Sequence, residues 1–367
     1  MQDSIALVNT NVLVTRQLCR ELGDPPPVIP VLWAITLFHL IRGNLLECRA
    51  RGDELMVMAR DSAVAHPIVA AHHMAGVVRE FLGEMGEASL LLERARELHD
   101  PAEHDMYLAL YGTNVGLLAR AMSSRPLWAL GFPDRALARA RETLALADAV
   151  REPMARTFAR LVLHGVLAYR GNAAAAEAIG EENIALCREH GLPQEAEWSR
   201  SFQGSALISL GRIDEGLALL RDSVAVQERL ETYLARPMFL AVLADGLLKA
   251  ERVDEGLATV SEGFTFAART GEGGYVAELH RVRGQLLQLR GDLAGAEASL
   301  RQALAYAARQ TARSLELRAA TALARLLCET GRRAEGRHRL AEVHDWFTEG
   351  FESADVVTAR TLLSEMG

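Results

Sequence analysis

The chain has 367 residues, half of them hydrophobic and only 5% aromatic, and its 40 Lys and Arg face 48 Asp and Glu for a net charge of -8. That sign is wrong for a surface built to hold a nucleic-acid backbone, so nucleic acid is not expected as the main partner. The longest apolar run, 28–41, contains His39 and is too short to cross a bilayer, and no basic flank precedes the first apolar residues as it would in a signal peptide.

Taken in chain order, residues 1–24 come first, with Gln2 to Leu22 reading as the trailing helix of an upstream unit whose first helix is missing. From 25 to 345 a pair of small residues five positions apart recurs on a 40-residue beat. Gly43, Gly83, Gly131, Gly171, Gly211, Gly291 and Gly331 mark it, with Glu251 in the one slot lacking glycine; their companions are Cys48, Ala88, Ala136, Ala176, Gly216, Gly256, Ala296 and Gly336. Between Gly83 and Gly131 the interval is 48, so one unit carries eight extra residues between Asp100 and Arg125. In each unit the residues before the marker form one amphipathic helix and those after it a second, antiparallel one. Around Gly211 the first helix is expected near Trp198–Leu210 and the second over Ile213–Leu230, where Asp214 complements the positive end of the helix dipole. Asp134 and Asp254 hold the same slot, and Pro133 fits a first turn.

Pro67, Pro153, Pro193 and Pro237 punctuate the junctions between units, and Gly271–Gly274 is an inter-unit turn, because Val276 stands where a dinucleotide fingerprint needs its third glycine. Seven positions before the markers, small residues such as Gly76, Gly204 and Gly284 let paired helices approach; four before, Leu127, Leu167, Leu207, Leu247, Leu287 and Leu327 supply the packing wedge, with His39 and Arg79 breaking that pattern in the first two units. Residues 346–367 are expected to close the array as a capping helix. Such a period specifies an all-α chain, one α-solenoid of about eight helix-turn-helix units. Cys19, Cys48, Cys187 and Cys328 form neither a disulfide framework nor a zinc pattern, which fits reduced thiols in the cytoplasm.

This layout of glycine, small and large slots resembles the tetratricopeptide repeat (TPR), although that unit has about 34 residues. The resemblance implies a right-handed superhelix whose first helices line the concave face. A narrower likeness rests on Val31-Leu32-Trp33-Ala34 with Phe38-His39-Leu40, Ala71-His72-His73, Asp100-Pro101-Ala102-Glu103-His104, Leu130 to Ala136, Ser314 to Ala320 and Trp346 to Phe351. Together these look like the helical tail of bacterial signalling proteins that join a class III adenylate/guanylate cyclase domain to an AAA-type ATPase. Tyr111-Gly112-Thr113-Asn114 departs from that family, which usually continues with an Asp-Pro pair. No phosphate-binding loop is present and Lys249, the only lysine, follows leucine, so the chain reads as an excised or split regulatory segment.

The TPR resemblance places binding residues thirteen, ten, six and three positions before each marker. Those slots hold Trp33 and Leu37, then His73 and Glu80, Arg125 and Trp128, Phe158 and Leu161, and Trp198, Ser201 and Ser205. Met238, Asp245 and Leu248 follow, and finally Arg281, Gln285 and Gln288, giving a groove that is apolar early and polar late. Aromatic and Met residues at this spacing are also ordinary interhelix packing. The insertion adds His104, Tyr107 and Tyr111, either as a binding loop or beside a bent first helix that adjusts curvature. His72 and His73 point about 100° apart on a helix and make no metal pair. Arg332, Arg333, Arg337 and Arg339, with Glu335 and Glu342 among them, form a solvated face.

No catalytic set, metal set or cofactor motif is legible. The expected function is a non-enzymatic regulatory scaffold in signal transduction that binds a protein or peptide, or another module of its own signalling protein, with self-association through uncapped ends. The alternative is a small-molecule sensor controlling a linked ATPase, cyclase or transcription module. A hydrolase or transferase working through His73 or His104 is a third reading.

Overall fold

The computed structural model describes residues 28–367; the upstream helix expected over Gln2–Leu22, and Cys19, lie outside them. Among the described residues all regular structure is helical, in antiparallel pairs joined in chain order. The pairs are α1 (Val28–Ile41) with α2 (Leu45–Ala59), and α3 (Ala65–Leu82) with α4 (Met85–Leu98). A 3-10 turn (Pro101–Glu103) and α5 (His104–Tyr111) follow; α6 (Val115–Met122) and α7 (Ser124–Ala129) then pair with α8 (Pro133–Val150). The series continues with α9 (Pro153–Arg170) and α10 (Ala173–Glu189), α11 (Pro193–Ser209) and α12 (Ile213–Leu230), and α13 (Arg236–Lys249) and α14 (Val253–Thr270). It ends with α15 (Val276–Leu289) and α16 (Leu293–Arg309), α17 (Arg313–Glu329) and α18 (Arg333–His344), and the single helix α19 (Ala354–Glu365). The α-solenoid expected from the period is the fold observed.

The beat has a backbone cause. Every marker sits just past the end of a first helix in the left-handed conformation, from Gly43 at φ 77° to Gly331 at φ 79°. There the chain reverses while satisfying orphan carbonyls: Gly211 N–H donates to Ile208 at 3.1 Å and Arg212 N–H to Leu207 at 2.9 Å. Glu251 takes the same conformation at φ 55° without glycine's freedom. The small slots are equally physical. A Cβ on Gly204 would sit 2.9 Å from the Gly216 carbonyl and 2.7 Å from Leu220, so α11 and α12 touch nearly backbone to backbone. Leu167, Leu207, Leu247, Leu287 and Leu327 are buried wedges and Leu127 is half-buried. Where the wedge is missing, Arg79 reaches Asp53 at 2.8 Å and Glu87 at 2.7 Å.

The eight extra residues make a separate turn and helix between α4 and α6, and the first helix of that unit is also broken, at Ser123. Pro126, three residues on, has no amide hydrogen for the Met122 carbonyl, which explains the break. The final helix begins at Ala354, later than the expected 346, because Gly350 at φ 74° and the preceding turn lead the chain back toward the first half.

The array closes on itself. Gly43, in the loop of unit one, packs against Tyr233 and Thr270 at the edges of unit six, and Leu234 N–H donates to Ile41 at 3.2 Å. The loop of unit two meets the next junction, where Gly273 and Gly274 N–H both donate to Phe81 at 3.0 and 3.1 Å. Unit three follows: Ser314 Oγ donates to the Trp128 carbonyl at 2.6 Å. In unit four Arg318 Nη2 donates to the Tyr169 carbonyl at 2.9 Å, and Gly171 faces Ala354. Glu349 accepts from Asp134 and Arg135 N–H at 2.9 and 3.0 Å, while Gly350 N–H donates to Asp134 at 2.8 Å. Each of the first four units therefore rests its loop on the junction one superhelical turn later.

Candidate functional site

Closure divides the inner face into a filled part and an open part. In the filled part Trp33 Nε1 donates to His73 Nδ1 at 3.2 Å, and burial pushes the His73 imidazole down to about 3, so it is a neutral acceptor. Leu37 packs half-buried against the same core, and Tyr111 stands edge-on to Trp33 at 5.8 Å. Glu80 and Arg125 form a buried ion pair at 2.7 Å. Trp128 stacks on Tyr169 at 4.5 Å, and the Tyr169 hydroxyl donates to Met238 Sδ at 3.1 Å. Trp198 is edge-on to both Phe81 and Phe239, Leu161 is buried beside half-buried Phe158, and Ser201 and Ser223 share a 2.7 Å hydrogen bond. Apart from Tyr169, these inner-face side chains make contacts within the chain and do not line the open part.

The open part is a cavity of about 700 Å³ along the inner face of the second half. Five helices in a row line it. α9 supplies Tyr169; α11 supplies Phe202, Ser205 and Ser209; α13 supplies Asp245, Leu248 and Lys249; α15 supplies Glu278, Arg281, Gln285 and Gln288; α17 supplies Arg318, Thr321, Arg325 and Glu329. Tyr275 and, from α19, Asp355 and Thr358 complete the wall. The structure thus gathers six sequence-expected residues: Ser205, Asp245, Leu248, Arg281, Gln285 and Gln288.

Others were not anticipated, and the signal for some of them was available. The offsets thirteen, ten and six counted back from Gly331 fall on Arg318, Thr321 and Arg325, and the thirteenth before Gly291 is Glu278. Tyr169 and Tyr275 fall outside the counted offsets, and Asp355 and Thr358 lie beyond the last repeat, so none of them had such a signal.

The polar wall is a ladder of alternating charge. Lys249 lies 3.2 Å from Asp245, Asp245 2.7 Å from Arg281, Arg281 2.8 Å from Glu278, Glu278 3.9 Å from Arg318, and Arg318 2.8 Å from Asp355. Three cations and three carboxylates alternate across α13, α15, α17 and α19, so the ladder is neutral. Burial opposes ionisation of Asp245, but Lys249 and Arg281 outweigh it and hold the carboxyl well below its usual range. Arg281 also donates to Gln285, and Gln288 to Glu329, which fixes both amides. Arg325 is exposed on the rim and has neither an ion-pair nor a hydrogen-bond partner among the described residues. The cavity pairs an aromatic side with a rigid polar side able to orient a ligand by hydrogen bonds.

The insertion lies away from this cavity. Tyr107 is buried with its hydroxyl unpartnered, the Tyr111 hydroxyl is 3.2 Å from His66 Nδ1, and Asn114 Nδ2 donates to His104 Nδ1 at 3.0 Å. Among the described residues no group of three or more His, Cys, Asp or Glu is arranged to hold a metal, and no helix is long and apolar enough to cross a membrane.

No protein-family model and no curated protein sequence matches the chain. Solved structures of TPR-like helical repeats do. A Rap protein complexed with Competence and Sporulation Factor is 14% identical, with 90% of this chain and 94% of that one covered at a TM-score of 0.57. The APC/C hetero-tetramer Cut9–Hcn1 gives 13% identity, 92% and 55% coverage and a TM-score of 0.58. The apo quorum sensor NprR from B. thuringiensis gives 12% identity, 93% and 95% coverage and 0.52. At these identities the likeness is one of fold.

Proposed function

We propose that this chain is a non-enzymatic regulatory scaffold, one continuous TPR-like domain, that binds a protein or peptide segment in the cavity between α9 and α19. The observation that carries the reading is the ladder from Lys249 to Asp355. It is a prearranged polar wall, at inner-face positions, beside three aromatic rings and a free guanidinium. Side chains already locked by their neighbours lose little further freedom when a ligand docks. Two proteins of similar fold support it: the Rap protein was crystallised with Competence and Sporulation Factor, and NprR is a quorum sensor.

The cavity volume favours a small occupant. About 700 Å³ falls within the usual range for small-molecule sites, roughly 300–1,000 Å³, and suits a short peptide or a metabolite better than a folded domain. That size also supports the second reading, a small-molecule sensor controlling a linked ATPase, cyclase or transcription module. The cyclase-linked context rests on the sequence strings that resemble such tails, and their module is a candidate recipient of the signal.

The test is a thermal-shift and calorimetric screen of the full chain against short synthetic peptides and a metabolite panel. It is repeated on Gln285→Trp, which fills the cavity, and on Arg281→Gln, which cuts the ladder. Saturable binding that both variants lose, at unchanged helicity, is the expected result. Binding that survives both refutes the cavity assignment.

A further inference from the structure

Where the loop of unit two meets the Gly271–Gly274 turn, three ionisable side chains are shut away together. Glu80 comes from α3, Arg125 from α7 and Glu272 from the turn itself. Arg125 Nε lies 2.7 Å from Glu80 Oε1, and Glu272 is 1% exposed. Glu272 Oε2 accepts from Ala235 N–H at 3.2 Å, while Glu272 Oε1 and Glu80 Oε2 have no hydrogen-bond partner. The charged groups facing Glu272 are Arg125 and Glu80; Tyr169 and Tyr275 flank Arg125 and stay neutral.

The one guanidinium of the cluster is paired with Glu80, and Glu272 has no cation in contact. With both carboxyls ionised, a dry joint would hold an unbalanced negative charge and unpaired carboxylate oxygens, which buried sites do not tolerate. With Glu272 protonated and Arg125 balancing Glu80 the cluster is neutral. The same two segments carry the seam, since Phe81, next to Glu80, accepts the N–H groups of Gly273 and Gly274, the two residues that follow Glu272.

We propose that Glu80, Arg125 and Glu272 form a proton-operated latch on superhelix closure: the seam between α3 and the 271–275 turn stays shut while Glu272 carries a proton and loosens as that proton is lost.

Burial pushes the Glu272 carboxyl up to about 8, against the pull of Ala235 N–H and Arg125 and with added repulsion from Glu80. Opening the seam returns the group to water and toward its ordinary value of 4.5. Between those values the closed state holds a proton that the open state has released. Closure is therefore strongest below about 4.5, weakens as pH rises, and loses nothing further above about 8. Within the window the opening equilibrium constant rises about tenfold per pH unit. Because Tyr169 and Tyr275 also line the cavity, an opened seam reshapes its aromatic wall. That consequence rests on the binding role proposed above, whereas the latch itself does not.

The experiment needs no ligand, so its failure is separate from failure of the binding reading. Hydrogen exchange of the full chain, followed by mass spectrometry on the peptide carrying the Gly273 and Gly274 amides, is measured from about pH 5 to about pH 9 and corrected for intrinsic base catalysis. Protection is expected to fall about tenfold per unit up to roughly pH 8 and then level off. The Gly331 loop, away from the seam, serves as the control and stays flat. Glu272→Gln is expected to abolish the slope; should it misfold, Glu80→Gln leaves one carboxylate for Arg125 and is expected to compress the window toward lower pH. Constant wild-type protection across the window overturns the latch, as does a wild-type slope in a folded Glu272→Gln protein.

Discussion

Alanine in place of Gly171 tests whether the superhelix closes, because the same change at Gly211 supplies an internal reference. Both glycines are left-handed caps, with φ 80° and 85°. Forcing an L-residue into that region costs about 1–2 kcal/mol, and alanine's stiffer unfolded chain returns about 0.4–1 kcal/mol. Gly211→Ala, whose new methyl meets nothing within 4 Å, should therefore destabilise by about 1 kcal/mol. At Gly171 the methyl would collide with Ala354 Cβ, which cannot rotate away, far inside the roughly 3.5–4.0 Å at which carbons rest. Overpacking of that kind adds about 1–3 kcal/mol, for a total of roughly 2–4 kcal/mol. A repeat array can shed such strain locally, so the discriminating assay is hydrogen exchange across α19 alongside urea denaturation. Gly171→Ala should deprotect the amides of α19 while Gly211→Ala leaves them unchanged. Equal behaviour of the two variants in α19 would falsify the contact between unit four and the C-terminal helix.

Glu251 is the marker without glycine, held at φ 55° on the surface, so Glu251→Gly should raise stability by about 0.5–1 kcal/mol in urea titration, and an unchanged midpoint would show that the site carries no strain. His164 is buried against Phe202, with neither ring nitrogen hydrogen-bonded, and burial pushes it down to about 3. The unfolded chain then takes up a proton that the native state refuses. The His164 contribution is intact above about 6.5 and falls by about 1.4 kcal/mol for each unit the pH drops toward 3. A shallower acid limb in His164→Leu than in wild type, read from melting temperatures at pH 7.5 and 5.5, is the expected outcome; parallel limbs would assign the acid sensitivity elsewhere, His73 included.

The sequence by itself determined that the helices come in pairs and where each pair reverses, because those depend on neighbours within one unit. A left-handed reversal after each first helix needs glycine, a close helix crossing needs a small residue at Gly204 or Gly216, and a leucine wedge must fall on the facing side. Each requirement recurs wherever the unit does, so each leaves a mark at fixed stride. The inner-face offsets also belong to one unit, which is why counting alone reaches Asp245, Arg281, Gln285 and Gln288 on the cavity wall and why Arg318 and Arg325 lie within the same count.

Only the tertiary structure decided which inner positions stay open. Small rotations between successive pairs accumulate until unit one comes to rest on the junction of units five and six, and no local pattern encodes that sum. Once the turn closes, Trp128 finds Tyr169, Trp198 finds Phe81 and Phe239, and Glu80 and Arg125 leave solvent together. Side chains that look alike in the repeat are thereby separated into interior packing and cavity wall. The side chains of Tyr169, Tyr275 and Asp355 meet at the cavity because burying apolar surface between superhelical turns brings remote segments together, whatever their distance along the chain.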